Sequence, residues 1–189
     1  MGETIMQQII ISGVGGQGVL FVTRLLAEAA IKKSLAVFTS ETHGMAQRGG
    51  TVLSHLKVGD YSSPLIRPAQ ADGLLALRAE NLTPHGAFLK DEGWVIVNGE
   101  DDVKNENSMP LEAIDADTLA REIANPKAVN LIVLGFALAR AEKKGAKRNA
   151  LFCSLAEIKA VLEGRFGKNQ KMLSASLEAL EVGYNVKDN

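Results

Sequence analysis

The sequence predicts an α/β fold: a mostly parallel sheet with helices on both faces and a helical C-terminus. Three observations carry this. Short apolar, β-branched runs recur through the first half of the chain. Segments of helical spacing lie between and after them. Toward the C-terminus only helical patterns remain. Strands that alternate with helices build a parallel sheet covered on both sides.

The elements follow in chain order. Ile9 to Ser12 is an apolar run that ends in glycines and reads as a fully buried strand. Residues 20–33 have helical spacing, with Leu20, Leu25 and Ala29 near one stripe and Arg24, Glu28 and Lys32 near another. Residues 35–40 (LAVFTS) read as a second buried strand. Residues 51–58 alternate, with Val52, Ser54, Leu56 and Val58 facing one way and Thr51, Leu53, His55 and Lys57 the other. Residues 72–77 and 94–98 are further strands, the latter after a turn signal at Asp91-Glu92-Gly93. Helices are expected over 78–90, 117–124 and 130–144. The helix near 131–141 is apolar all round, so it must be buried in the core or against a partner. Ser154-Leu155-Ala156-Glu157 has capping-box spacing, Gly167 is a stop, and a last helix spans about 169–182. Residues 98–110 are the best candidate for a surface loop.

Composition bounds the rest. The 189 residues suit one domain, 1–189, able to bury roughly 70% of its unfolded surface. Hydrophobic residues make up 46%, charged residues 23%, and the net charge is −1. No basic excess points to nucleic acid and no acidic tail to a solvating segment. The longest apolar run is too short to cross a bilayer, and the N-terminus lacks the order of a signal peptide. Position 6 is Met6, so Met1-Gly2 is no myristoylation signal. The expectation is a cytoplasmic protein. The single cysteine, Cys153, reads as a small buried apolar residue, and one thiol cannot hold an iron–sulfur cluster.

Gly13, Gly15 and Gly18 match G-x-G-x-x-G between a strand and a helix, which makes the expected fold Rossmann-like. Such glycines let the backbone turn sharply and approach a diphosphate, with free N–H groups facing the anion. Glu41, after the second strand, stands where a dinucleotide site wants an acid for a ribose. A nicotinamide or flavin site is therefore one reading. Tight strand-to-helix packing is the other, and Gly16-Gln17 is unusual in placing a long amide at the helix start.

The second signal is SETHGMAQRGG, residues 40–50. Glu41, His43, Gly44, Gln47, Arg48, Gly49 and Gly50 fall at the carboxyl end of the second strand, the edge where open α/β sheets bind ligands. Arg48 offers a planar fork to a phosphate or carboxylate. Gly49 and Gly50 permit close approach of a ligand or another backbone. Met45 and Ala46 in the middle suggest a partly covered loop rather than a solvated connection. Other chemistries fall away. His43, His55 and His85 lack metal-ligand spacing, no nucleophile elbow is present, and Glu100, Asp101 and Asp102 read as solvated surface.

GVGGQGV, then SETHGMAQRGGTVLSHLKVG, then SPLI at 63–66, resembles the small subunit of the 2-oxoacid:ferredoxin oxidoreductases. Within that group the pattern is most similar to the small (beta) subunit of indolepyruvate ferredoxin oxidoreductase. The likeness extends over ADGLLAL, WVIVN and the NLIVLG helix, and departs at MLSASLEAL, where the family often has an asparagine. The resemblance implies an oxidative decarboxylation of a 2-oxoacid, with thiamine diphosphate as cofactor, electrons passing through iron–sulfur clusters to ferredoxin, and coenzyme A taking the acyl group. This chain has neither cluster cysteines nor a G-D-G followed by paired asparagines. The resemblance therefore implies that thiamine diphosphate, magnesium and the 4Fe-4S clusters sit on a large alpha subunit. Gly13, Gly15, Gly16, Gln17, Gly18 and Arg48 are then the expected anion or cofactor contacts. Glu41, His43, Gly44, Gln47, Gly49 and Gly50 are the expected interface or active-site loop. An independent nucleotide-binding reductase and a binding protein on the same fold are the alternatives.

Overall fold

A computed structural model of the chain describes residues 5–43, 50–100, 110–143 and 151–186. Its sheet has six strands: β1 (Gln7–Val14), β2 (Val37–His43), β3 (Thr51–Val58), β4 (Ala71–Ala76), β5 (Leu89–Asn98) and β6 (Leu111–Ile114), in the order β2-β3-β1-β4-β5-β6. β1, β4, β5 and β6 pair in parallel, and β3 runs antiparallel to both of its neighbours. Five strands thus share one direction, and the sheet is mixed rather than uniform.

Among the described residues six helices accompany the strands: α1 (Val19–Lys32), α2 (Leu82–His85), α3 (Ala116–Glu122), α4 (Val129–Lys143), α5 (Leu155–Phe166) and α6 (Gln170–Tyr184). They are shared unequally between the two faces. The face carrying Ile9, Ile11, Leu56, Leu75 and Ile96 packs against α1, α3, α4, α5 and α6. The face carrying Ile10, Leu74, Val95 and Val97 is closed by Leu82 of α2, Phe88 and Ile66. The all-apolar α4 is the core helix, with Ile132, Val133, Leu134 and Leu138 fully buried. It lies backbone to backbone on α6. A Cβ on Gly135 would stand 2.0 Å from Leu180 O, and one on Gly183 would stand 1.9 Å from Ile132 O. Glycine is what permits that approach.

Several expectations from the sequence change. The second strand is not buried: β2 is an edge strand paired only with β3, and Phe38, Thr39, Glu41 and Thr42 are exposed. Its apolar start was misleading, because the strand runs on into polar SETH. β3 alternates in character yet is buried on both faces, so Ser54, His55 and Lys57 are interior residues. The helix expected over 78–90 shrinks to α2 between two 3₁₀ turns, Ala79–Asn81 and Gly86–Phe88. Pro84 lacks the N–H that a longer helix needs there. The turn signal at Asp91-Glu92-Gly93 lies within β5, where pairing jumps from Ala71↔Leu89 to Gly73↔Trp94 as a bulge. β6 was not foreseen. At the C-terminus the capping box forms: Glu157 N donates to Ser154 Oγ, and Ser154 N donates to Glu157 Oε2 at 2.7 Å. Gly167 ends α5 as expected.

Candidate functional site

The parallel strands end on one edge, and the glycine turn lies there. Gly13 is still within β1. A Cβ at that position would meet Val19 Cγ2 at 2.8 Å and Leu77 Cβ at 3.2 Å, so strand, helix and β4 exit close on bare backbone. Gly16 and Gly18 have φ of 92° and 82°, a left-handed conformation that side chains rarely adopt. Gly18 caps α1 with no side-chain hydrogen bond and no acidic residue in the first turn. Phe21 N and Val22 N donate to Gly18 O at 3.0 and 3.1 Å, which leaves the N–H groups of Val19 and Leu20 without a side-chain cap, with the helix dipole behind them.

Gln17 has a different task from the one the sequence suggests. Its Oε1 accepts Val14 N at 2.9 Å, its own N–H donates to Val14 O at 3.1 Å, and its Nε2 reaches Leu77 O at 3.5 Å. The side chain folds back to close the turn. Gly15 and Gly16 are the exposed part, and nothing lies within 4 Å of a Cβ at Gly16.

The second signal reaches the same edge. Gly13, Val52 and His43 share one register row across β1, β3 and β2. Gly15 N donates to Gly50 O at 3.1 Å, which ties the glycine turn to the segment that enters β3. Glu41 sits in β2, opposite Ser54. Gly44, Gln47, Arg48 and Gly49 lie outside the described residues. The topology argues against the dinucleotide reading. In that fold the ribose-binding acid ends the strand beside the glycine-turn strand, whereas here β3 stands between β1 and β2, moving Glu41 about 10 Å from β1.

A set of buried polar side chains at this edge escaped the sequence reading. Asn130, 7% exposed, places Nδ2 2.0 Å from where a Gly18 Cβ would be. Asn98, at the end of β5, donates through Nδ2 to Leu77 O at 3.3 Å and Asp117 Oδ2 at 2.7 Å, and accepts Ala116 N at 3.0 Å. Ser12 Oγ and His85 Nδ1 are 2.6 Å apart inside the opposite face of the sheet. Burial pushes the His85 imidazole below its usual pKa. It does the same to His55, which also feels Lys57 and His85. The only available signal was position: asparagines at strand ends and helix starts.

Beside Gly18 opens a groove of about 480 Å³ between the starts of α1, α4 and α6. Phe21, Leu131, Phe166 and Met172 supply its apolar lining, and Lys127 and Lys171 its charge. The Phe21 and Phe166 rings stand 6.1 Å apart, with the Arg165 guanidinium 5.6 Å from the Phe21 ring. Open N–H groups, a bare turn and an apolar groove with two ammonium groups suit a ligand that joins phosphate to a larger organic body. Among the described residues no three His, Cys, Asp or Glu side chains gather as a metal-holding group. Burial raises the Cys153 thiol to about 12, far from the thiolate a cluster needs. Among the described residues no helix is long and apolar enough to cross a membrane.

A family model described as pyruvate ferredoxin/flavodoxin oxidoreductase matches residues 8–186. Indolepyruvate oxidoreductase subunit IorB of Archaeoglobus fulgidus is 44% identical over 90 residues, which cover 48% of this chain and 45% of that protein. The match thus spans about half of either chain. Pyruvate oxidoreductase subunit PORC of Thermotoga maritima superposes with a TM-score of 0.75 at 23% identity, covering 95% of each chain. The 2-oxoglutarate:ferredoxin oxidoreductase of Magnetococcus marinus, solved with 2-oxoglutarate, coenzyme A and succinyl-CoA bound, superposes with a TM-score of 0.75 at 23% identity. That match covers 96% of this chain and 31% of the other. These two likenesses are of fold.

Proposed function

This chain belongs to the pyruvate ferredoxin/flavodoxin oxidoreductase family, and we propose that within it the protein is the small subunit of a thiamine diphosphate-dependent 2-oxoacid:ferredoxin oxidoreductase acting on indolepyruvate or related arylpyruvates. The observation that carries the reading is the family match over nearly the whole described chain. The 44% identity to an indolepyruvate oxidoreductase subunit supports the choice of acid.

In this reading the small subunit contributes binding and shape, and the cofactors sit on a larger alpha subunit. Thiamine diphosphate supplies the carbanion chemistry of decarboxylation there, and iron–sulfur clusters carry the electrons to ferredoxin. The residues of this chain do not fit a cluster, since its one thiol is buried and protonated. They do fit an anionic ligand. The turn Gly15–Gly18 and the open start of α1 receive a phosphate of coenzyme A. Arg48 adds a planar two-point contact, and the adjacent groove takes part of the ligand's organic body. The bound coenzyme A in the Magnetococcus marinus enzyme is consistent with this assignment. The segment from Glu41 through His43, Gly44, Gln47 and Gly49 to Gly50 meets the partner and closes its active site. The protein acts in the cytoplasm.

The test exploits the open space at Gly16. Asp and Asn are the non-glycine residues most at ease in a left-handed conformation, and they differ there by one charge. Gly16→Asp should raise the coenzyme A KM of the assembled enzyme about ten-fold, a loss of about 1.4 kcal/mol. Gly16→Asn should leave it within about two-fold. Equal kinetics for the two variants would remove coenzyme A from this turn.

A further inference from the structure

At the opposite edge of the sheet lies a second concave site of about 440 Å³. It sits on the face closed by Phe88 and Ile66, where β3 ends and β1 begins. Lys57 marks the edge, since it pairs across the sheet with Gln8 and Phe38. The distance from there to Gly13 along β1 is about 17 Å, so this site is separate from the glycine turn.

The lining is built of donors: the Lys57 ammonium, the Arg67 guanidinium, the hydroxyls of Tyr61, Ser62 and Ser63, and the amide of Gln8. None of the lining residues is a carboxylate. Lys57 is the telling group. It is 8% exposed, and among the described residues it forms no ion pair with a carboxylate. Its contact is the face of the Tyr61 ring, 4.9 Å from Nζ. The nearby carboxylate, Asp72, is already taken by Gln8 N at 2.7 Å and by the Lys90 ammonium. The Lys57 stem is covered while the residue lines the pocket, so its ammonium is placed to meet an anion held there.

The wall opposite Lys57 is held in place. Ile66 N donates to His55 Nδ1 at 3.3 Å, Ala69 N to Ala87 O at 2.9 Å, and Gln70 N to Phe88 O at 2.9 Å. His55 is itself braced edge-on against Phe88 at 5.5 Å. The strand of chain that carries Tyr61, Ser62, Ser63 and Arg67 is thereby pinned over the sheet.

We propose that this pocket is a binding site for a small phosphate-bearing molecule, with Lys57 and Arg67 as the charged contacts and the serine and tyrosine hydroxyls as further donors. A tetrahedral phosphate accepts several hydrogen bonds at once and supplies the counter-charge that Lys57 lacks. The volume exceeds that of a phosphate group and falls within the roughly 300–1,000 Å³ of small-molecule sites.

The experiment is thermal unfolding of the full chain, with any subunit that accompanies it, in chloride, inorganic phosphate and acetate at equal ionic strength. Phosphate should raise Tm by about 2–4 °C over chloride, and acetate should not. Lys57→Met should abolish the phosphate increment, so that Tm is the same in phosphate and chloride. Arg67→Gln, at an exposed position that leaves the fold intact, should at least halve that increment and weaken phosphate binding about ten-fold in a ³¹P NMR titration. Equal Tm in phosphate and chloride, or full phosphate binding by Arg67→Gln, would overturn the proposal. A shift with acetate as large as with phosphate would overturn it in favour of a carboxylate ligand.

Discussion

Replacing Gly18 by alanine tests how the glycine turn is built. Two costs add at this position. The residue has φ of 82°, and a left-handed conformation costs a non-glycine residue roughly 1–2 kcal/mol. The new Cβ would also stand 2.0 Å from Asn130 Nδ2. Asn130 cannot move without releasing Leu131 N, which its Oδ1 holds at 2.8 Å, and such a bond is worth about 1 kcal/mol. The sum is about 2–3 kcal/mol, or a fall in Tm of roughly 5–10 °C for a chain of this size. Gly16→Ala is the control. Its φ of 92° imposes the same backbone cost, with nothing within 4 Å of the added methyl. Urea unfolding of the two variants should differ by about 1 kcal/mol, with Gly18→Ala the weaker. Adding Asn130→Ala to Gly18→Ala should recover that difference as a coupling energy. If the two single variants match within about 0.5 kcal/mol, or if the double variant shows no coupling, Asn130 does not pack on the turn and the reasoning fails.

Three further outcomes follow from the same geometry. Arg48→Ala should leave the melting temperature of the small subunit nearly unchanged and reduce the assembled enzyme's affinity for coenzyme A about ten-fold or more, with Arg48→Lys recovering part of it; kinetics of the complex beside calorimetry of the subunit decide this. Acid should destabilise the fold through His55 and His85. Their folded pKa values lie below the unfolded ones, so stability is full above about pH 6.5 and falls below it as the unfolded chain takes up protons first, with a slope up to about 2.7 kcal/mol per pH unit for the two. The double change His55→Gln and His85→Gln should flatten that limb in urea titrations at stepped pH. Gly135→Ala should cost about 3 kcal/mol, because the new methyl pushes α4 off the backbone of α6, while coenzyme A kinetics of the surviving complex stay normal.

The fold was legible where a local rule settles the outcome. Ile9 to Ile11 could only be buried strand, Gly13 to Gly18 could only be a tight strand-to-helix turn, and Ser154 with Glu157 named the start of α5. What the sequence left hidden depends on long-range pairing. Nothing in TVLSHLKV says that it runs antiparallel between β1 and β2, yet that placement buries His55 and Lys57 and carries Glu41 away from the glycine turn. The short β6 and the bulge in β5 are also consequences of neighbours rather than of their own residues. At the site, the glycines announced themselves through their spacing. Asn98 and Asn130 did not, because a buried asparagine and a solvated one look alike in a sequence. Gln17 was visible, but its inward fold was not.

The most direct measurement is reconstitution. The purified chain alone should oxidise no 2-oxoacid, with or without added thiamine diphosphate. Combined with the large subunit proposed to carry thiamine diphosphate and the clusters, it should restore coenzyme A-dependent oxidation of indolepyruvate with electrons delivered to ferredoxin. Decarboxylation by the isolated chain, or full turnover by the large subunit without it, would contradict the assignment.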